Sequence, residues 1–224
     1  MSESTSLVGE ISLEDVGDLR DEEPINAATH SLGCLLSAGG TVAIVLLHAA
    51  AGVGQWLASV VFTVSLTTMY AVSALSHAVN QPRRKYLLRA WDQGVIYLLI
   101  VATYTPFLWK YAPFPIMVTT LFAIWLAAIV GFLSKVVYLH RVDDLFSPVS
   151  YIALGWVPAL AVCYCVPWAC LQWIALGGVL YTVGVFFLSF DRRVAYFHTV
   201  WHLSVIAASG CHFYAIYQFV LMAP

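Results

Sequence analysis

Residues 55–77 read QWLASVVFTVSLTTMYAVSALSH, a stretch that contains no aspartate, glutamate, lysine or arginine. A helix needs roughly 20 apolar residues to cross the hydrocarbon core of a bilayer, so this stretch is long enough to span a membrane. The rest of the chain has the same character: 61% of its 224 residues are hydrophobic and 10% are charged, with a mean hydropathy of +0.84. Soluble domains carry about 25% charged residues. We therefore predict an integral membrane protein.

Seven stretches of the chain are apolar and long enough to cross a membrane as helices. They are residues 28–49, 55–77, 88–109, 114–137, 148–166, 168–190 and 196–221. Pro106 and Pro158 fall inside two of them and are expected to kink the helices, which bilayer helices tolerate when neighbours satisfy the freed carbonyl. The predicted fold is all-α, a polytopic seven-transmembrane-helix bundle over residues 25–224.

The segment before the bundle, residues 1–24, is acidic. Eight of the twelve acids lie in the first 23 residues. The segment lacks the basic start, apolar centre and cleavage site of a signal peptide, so we expect it to be retained. It has too few apolar residues to fold alone, which predicts a flexible, solvated tail.

The basic residues of the loops predict the orientation, because lysine and arginine in short loops mark the cytoplasmic side. With the N-terminus in the cytoplasm, eight basic residues lie in cytoplasmic loops and Lys110 alone lies outside. The eight are Arg83, Arg84, Lys85, Arg89, Lys135, Arg141, Arg192 and Arg193. We therefore expect a multi-pass protein of the cell membrane with a cytoplasmic N-terminus and an extracytoplasmic C-terminus.

Asp92 is the one carboxylate that falls inside a predicted helix after the tail, close to its cytoplasmic end; Asp143, Asp144 and Asp191 fall in predicted loops. Ionisable groups are costly within a membrane, so such a residue indicates a functional site. Two simpler interpretations stay open: Asp92 faces water, or it pairs with Arg89 three residues earlier.

Three of the seven histidines lie at the same predicted depth as Asp92. His77 ends the second span, one helical turn after Ser73, and His198 and His202 begin the last span with a spacing that places both rings on one helical face. Three histidines suit zinc, whose catalytic sites usually combine three protein ligands with a water. Asp92 and Ser73 would then hydrogen-bond that water or orient a ligand.

The remaining polar residues have simpler interpretations. Ser73 can also bond its own helix carbonyl. We expect His212 to be a packed polar residue, while spacing alone does not decide whether His30 supports the metal site. His48 and His140, at span ends, are interpreted as interfacial. The five cysteines are expected to be small buried hydrophobes, although a disulfide among Cys163, Cys165 and Cys170 stays open.

Several motifs occur in a fixed order along the chain. They are Glu23-Pro-Ile-Asn-Ala-Ala-Thr-His30, Ser73-Ala-Leu-Ser-His77, Asp92-Gln-Gly-Val-Ile-Tyr97 with Ala102-Thr-Tyr-Thr-Pro106, and His198-Thr-Val-Trp-His202. Together they resemble the hemolysin III family, the bacterial branch of the progestin and adipoQ receptor group, which includes the adiponectin receptors. The resemblance runs from about Glu23 to Tyr217.

The resemblance implies a seven-helix fold with a cytoplasmic N-terminus, and zinc bound by His77, His198 and His202 with a water near Ser73 and Asp92. In the wider superfamily, alkaline ceramidases hydrolyse lipid amides and adiponectin receptors are reported to have weak ceramidase activity. Bacterial members were named for haemolysis and are linked to membrane-lipid homeostasis. The acidic tail is too short for the cytoplasmic domains of the animal receptors, so no receptor signalling is implied.

Three functions are consistent with these residues. The leading hypothesis is a zinc-dependent membrane hydrolase of a lipid amide or ester, with Asp92 as proton acceptor or water orienter. The second is a non-enzymatic membrane protein, either a haemolysin or pore former or a regulator of lipid homeostasis, in which zinc ties helices together. An ion transporter is disfavoured because no chain of ionisable groups crosses the midplane. The expected partners are membrane lipids and not nucleic acid; the oligomeric state stays open.

Overall fold

The computed structural model of the chain describes residues 22–47, 52–137 and 146–223. Within these ranges the regular structure is helical and contains no strand. The elements are α1 (Glu23–Leu47), α2 (Val53–Ala78), α3 (Pro82–Tyr111), α4 (Phe114–Val136), α5 (Phe146–Trp156), α6 (Ala159–Val162), α7 (Trp168–Ser189), α8 (Phe197–Ala215) and a π-helical segment (Ile216–Leu221). The predicted all-α class is confirmed for the described residues.

Five of these elements are long and apolar enough to cross a membrane: α1, α2, α4, α7, and α8 continued by the π-helical segment. Their outer surfaces carry large apolar side chains, such as Leu35 and Phe114, each 73% exposed. Soluble monomers rarely expose contiguous apolar surface on this scale. The chain is a multi-pass membrane protein.

The other two predicted spans differ from these five. The third became α3, which at 30 residues is the longest helix described and starts with charged residues after Pro82. The fifth became α5 and α6, because the helix stops at Trp156 and resumes after Pro158. Proline lacks an N–H and obstructs the preceding turn. The kink expected at Pro158 is therefore a break, whereas Pro106 lies inside α3 without ending it.

Four pairs of consecutive helices pack side by side, namely α1–α2, α2–α3, α3–α4 and α7–α8, and α1 also contacts α8, which brings the first and last spans together. The buried interior contains large side chains such as Phe62, Tyr70 and Phe107. An apolar cavity of about 260 Å³ lies between α3, α5, α6, α7 and α8. Its lining includes Leu99, Tyr104, Tyr151, Trp156, Tyr181 and Val205.

The two ends of the bundle differ in charge. Lys85 and Arg89 lie near the start of α3, at the end of the bundle where α2 finishes. At the far end of α3, Lys110 Nζ donates hydrogen bonds to the carbonyls of Val220, at 3.1 Å, and Ala223, at 2.7 Å. The uneven charge distribution inferred from the loops thus corresponds to two separate ends of the folded bundle.

Several sequence expectations fall outside the described residues or are changed by the structure. His48, His140, Asp143, Asp144 and residues 1–21 lie outside the described ranges. All five cysteines are free thiols, so the alternative of a disulfide among them is wrong. Helix α1 begins at Glu23 rather than at residue 28. The division of the chain at residue 25 stays a prediction.

Candidate metal centre

Three histidine side chains from two helices meet at the end of the bundle where α2 finishes. His77 lies in the last turn of α2, and His198 and His202 lie in the first two turns of α8. One ligand nitrogen from each ring lies within 4.8 Å of the other two. The ring centroids are 4.6 to 5.0 Å apart. The structure therefore brings together the three residues that spacing and depth had selected.

Two of the rings are held by carboxylates. His77 Nδ1 lies 2.7 Å from Glu23 Oε2, and His198 Nδ1 lies 2.7 Å from Asp191 Oδ2. An ionised carboxylate only accepts hydrogen bonds, so each Nδ1 carries the hydrogen. When such a ring is neutral, its lone pair is then on Nε2. Carboxylates that accept from the second nitrogen of a ligand histidine fix its tautomer and raise its basicity in metal sites.

The third ring reaches the same state through a hydroxyl group. His202 Nδ1 lies 3.1 Å from Thr29 Oγ1, and that hydroxyl donates its single hydrogen to the carbonyl of Asn26, 2.9 Å away. Thr29 must therefore accept from His202, which places the hydrogen on Nδ1 and the lone pair on Nε2. All three rings thus have the tautomer that a metal centre bound through Nε2 requires.

Two ring nitrogens of the group lack hydrogen-bond partners, a deficit that a bound metal ion would remove. Nε2 of His77 and Nε2 of His198 are buried and have no hydrogen-bond partner. A buried acceptor without a partner costs about 1–3 kcal/mol, so such atoms are rare in folded proteins. Neutral imidazoles converging at this distance form a donor set that could hold a metal ion. Among the described residues, no fourth histidine, cysteine or acid joins the group.

Asp92 lies beside the three histidines without belonging to their group. Its Oδ2 accepts a hydrogen bond of 3.2 Å from Ser76 Oγ, and the hydroxyl of Ser73 faces the same carboxylate. The carboxylate is close enough to His77 and His198 to interact with them electrostatically. Since Ser73, Ser76 and His77 occupy the last turns of α2, this helix positions both a metal-ligand candidate and the support for Asp92.

The alternative pairing of Asp92 with Arg89 is wrong. Arg89 Nη2 instead donates to Glu23 Oε1 over 3.1 Å, and Lys85 Nζ pairs with the same oxygen at 2.8 Å. Glu23 thus connects His77 through one oxygen with two cations of α3 through the other. The cations lie one helical turn apart on the face of α3 that points to α1.

The first turns of α1 also hold the start of α8 in place. Glu22 Oε1 accepts from the backbone N–H of Tyr196 at 2.6 Å, and Asn26 Oδ1 accepts from Thr199 Oγ1 at 2.6 Å. Tyr196 has φ 62, the left-handed region that residues other than glycine rarely adopt. This turn directs the chain into α8 two residues before His198.

Two further histidines are placed by the structure: His30, whose role sequence spacing left open, and His212, which was expected to be a packed polar residue. His30 is buried and stacks on His202, with ring centroids 3.5 Å apart and an interplanar angle of 14°. It therefore packs directly behind a metal-ligand candidate. His212 lies apart from the group, and its Nε2 donates to the carbonyl of Ile174 at 3.1 Å. The close approach of this ring to Gly177 leaves no room for a Cβ there. His212 is the packed polar residue expected.

Sequence reasoning did not assign supporting roles to Glu23, Thr29 and Asp191. Glu23 was counted with the acids of the tail, and Asp191 was assigned to a loop. One signal was present: Asp191 is the lone acid between the last two spans, seven residues before His198. Thr29 gave no comparable signal, since a threonine in a membrane helix usually bonds its own backbone.

The apolar cavity approaches the metal centre near Asp92. Tyr151 lines the cavity and donates a hydrogen bond of 2.8 Å to the carbonyl of Gln93, the residue after Asp92. Two residues of α8 also line the cavity: Trp201, which precedes His202, and Val205, which follows it by about one helical turn. The cavity lining therefore includes residues that are next in sequence to His202 or bonded to the backbone next to Asp92.

The fold and the site together define the class of this protein. It is an integral membrane protein whose helices hold a candidate three-histidine metal site at one end of the bundle. The model of the family described as Haemolysin-III related matches residues 19–213. The chain belongs to this family, as its motifs had indicated.

Similar proteins occur in bacteria and in animals. The chain is 31% identical over 207 residues to "Hemolysin-3 homolog" of Bacillus subtilis (strain 168), covering 91% of this chain and 96% of that protein. It is 34% identical over 206 residues to "Hemolysin-3" of Bacillus cereus, covering 89% and 92%. It is 30% identical over 171 residues to "Monocyte to macrophage differentiation factor" of Homo sapiens, covering 73% and 71%. No solved structure matches the chain.

Proposed function

We propose that this protein is a zinc-dependent integral membrane hydrolase that cleaves a lipid amide or ester. The observation that carries the proposal is the convergence of one ligand nitrogen each from His77, His198 and His202, in a group that no fourth described ligand completes. Structural zinc sites are usually closed by four protein ligands, whereas catalytic sites use three and keep one position open. Three ligands therefore favour chemistry over a structural tie.

The residues around the three histidines have distinct roles in this proposal. Zinc, when bound, would polarise a carbonyl and lower the pKa of water at the open position. Glu23, Asp191 and Thr29 hold the ligand rings in the required tautomer. Asp92 accepts a proton from the attacking water or orients that water. Ser73 and Ser76 hold the Asp92 carboxylate.

The apolar cavity supports a lipid as the substrate. A hydrocarbon chain gains free energy from an apolar wall and has no polar group to satisfy there. The cavity lining spans Trp201 to His212 on α8, a distance of about 16 Å at the rise of an α-helix. Because Tyr151 connects the cavity wall to the backbone beside Asp92, a chain in the cavity would place its head group near the metal centre.

The proposal includes a membrane orientation. Adding α3 and the interrupted α5–α6 to the five long apolar elements gives seven passes. An odd number of passes places the two termini on opposite sides. The excess of basic residues favours the cytoplasm for the end that carries Lys85, Arg89 and the histidines. The protein would then be a multi-pass protein of the cell membrane, with its metal centre near the inner leaflet.

A non-enzymatic role is the second candidate, favoured by one set of contacts. The three histidines and their partners tie α1, α2 and α8 together, which is what a structural metal would do. Two similar bacterial proteins carry the name hemolysin. In that case the protein would act as a haemolysin or pore former, or as a regulator of membrane lipids, and zinc would stabilise the bundle without turnover.

Lipid hydrolysis by purified protein distinguishes these candidates. Zinc-loaded wild type is expected to release fatty acid from at least one member of a ceramide and phospholipid panel. Asp92→Ala should lose this activity while it retains zinc, because Asp92 is outside the ligand group. Thr119→Ala, an exposed position on α4, is the matched control and should keep full activity. Equal release by wild type and Asp92→Ala would indicate a contaminant and contradict the proposal.

A further inference from the structure

The first turns of α3 carry basic residues on two different faces. Lys85 and Arg89 lie on the side of α3 next to α1 and pair with Glu23, as described above. Arg83 and Arg84 are exposed, and neither forms an ion pair with another residue that the structure describes. Within the described part of the chain, neither the metal centre nor its supports use these two guanidinium groups.

The outward face continues from these arginines into apolar surface. Leu87 is 41% exposed and Trp91 is 45% exposed. Residues three and four apart share a helical face, so Arg83 and Arg84 lie one turn beyond Leu87 and two turns beyond Trp91. Arg84 and Trp91 are about 10 Å apart along the helix axis. The two arginines at the start of α3 are thus followed by exposed apolar side chains. A phospholipid has the same arrangement, with a charged head group followed by an apolar chain.

The neighbouring helix α4 packs beside this face of α3. Trp91 contacts Phe132 of α4 edge to face, with ring centroids 5.4 Å apart. Helices α3 and α4 approach closely here, since a Cβ on Gly94 would come within 3.0 Å of Phe132 and 3.4 Å of Val136. Tryptophan prefers the depth of the membrane interface. The arginines one to two turns further out then lie at the depth of lipid phosphates.

We propose that Arg83 and Arg84 bind the phosphate of an anionic phospholipid whose acyl chain lies along Leu87 and Trp91. Guanidinium groups present paired donors that match phosphate oxygens, and anionic lipids are attracted to basic clusters next to spanning helices. A zwitterionic lipid fits less well, because its cationic group would meet two arginines, and Glu23, a described acid at this end of the bundle, is already paired. This site is separate from the metal centre and goes beyond the proposed hydrolysis.

Thermal melting of the purified protein in detergent micelles tests the lipid site without any measurement of turnover. Phosphatidylglycerol is expected to raise the melting temperature by about 3 °C or more over an equal amount of phosphatidylcholine. The paired variant Arg83→Gln with Arg84→Gln should lose most of this lipid-dependent difference. The control removes the same charge elsewhere at the basic end, through Arg192→Gln with Arg193→Gln, and should keep the difference.

Native mass spectrometry gives a second measurement that does not depend on melting. Wild type should retain one more tightly bound phosphatidylglycerol than the Arg83→Gln, Arg84→Gln protein. Water-soluble glycerol phosphate should give less than about half of the thermal shift, because it lacks the chain contacts. Equal effects of the two phospholipids, equal losses in the two paired variants, or a full shift with glycerol phosphate would each overturn the lipid site. Absence of hydrolysis would leave it standing.

Discussion

Glu23, the first residue of α1, accepts a hydrogen bond from Nδ1 of His77, in the last turn of α2, over 2.7 Å. The two residues are 54 positions apart, so the contact exists only when α1 packs against α2. The other oxygen of Glu23 pairs with Lys85 and Arg89 of α3. A single carboxylate at the start of α1 thus bonds a metal-ligand candidate of α2 and two cations of α3.

Replacing Glu23 by glutamine tests this dependence. Glutamine keeps the shape of the side chain but removes the charge that holds the hydrogen on His77 Nδ1. Loss of such a partner typically weakens metal affinity about 10–100-fold, and we expect Glu23→Gln to fall in this range in competition with a chromophoric chelator. Glu22→Gln is the matched control, since Glu22 bonds the backbone of Tyr196 rather than a histidine. Equal losses of metal affinity in the two variants would contradict a specific role of Glu23. They would show that the lost negative charge, rather than the bond to His77, is responsible.

The left-handed residue before α8 gives a second prediction. Tyr196 has φ 62, and its backbone N–H donates to Glu22. Glycine accepts this conformation without strain, so Tyr196→Gly should keep stability within about 1 kcal/mol and retain metal. Proline cannot adopt positive φ and removes the N–H, so Tyr196→Pro should cost about 3 kcal/mol or more and lower metal affinity. Melting temperature and metal content measure both effects; similar behaviour of the two variants would contradict the conformation.

The difference between what the sequence predicts and what it misses follows from the range of the interactions. His198 and His202 are a local pattern on one helix, and His77 joined them because charge counts placed it at the same depth. Glu23 and Thr29 belong to one of the quoted motifs, but their bonds to His77 and His202 became visible only through the packing of α1 against α2 and α8. The two prolines illustrate the same limit: Pro106 and Pro158 look alike in the sequence, yet only Pro158 interrupts its helix.

Reporter fusions test the proposed orientation. A fusion after residue 85 lies near the start of α3, and a second at the C-terminus follows the π-helical segment. Five passes separate these points, counting α3 as the first and α5–α6 as one. The first reporter is expected on the cytoplasmic side and the second on the exterior. Finding both reporters on one side would mean that an even number of passes separates them.

Acid should release the metal. Each ligand must be a neutral imidazole, and protons compete for the same Nε2 lone pairs, so occupancy falls as pH falls. Free histidine has a pKa of about 6.5, and bound metal shifts the transition lower. The stabilisation that zinc adds to the melting temperature should therefore be complete at about pH 7.5 and lost by about pH 4.5. Zinc retained after dialysis reports the transition, and occupancy that is constant or rises on acidification would contradict imidazole ligation.

The zinc content of protein purified without chelator tests the three-histidine centre most directly. Wild type is expected to hold one zinc per chain, because His77, His198 and His202 present three ligand nitrogens within 4.8 Å of one another. His202→Ala should abolish stoichiometric zinc, whereas His140→Ala, which changes none of these three ligands, should retain it. Asp92→Asn should also retain most of the metal. A wild type with well under one zinc per chain, or a loss in His140→Ala equal to that in His202→Ala, would contradict the centre and with it the proposed hydrolase.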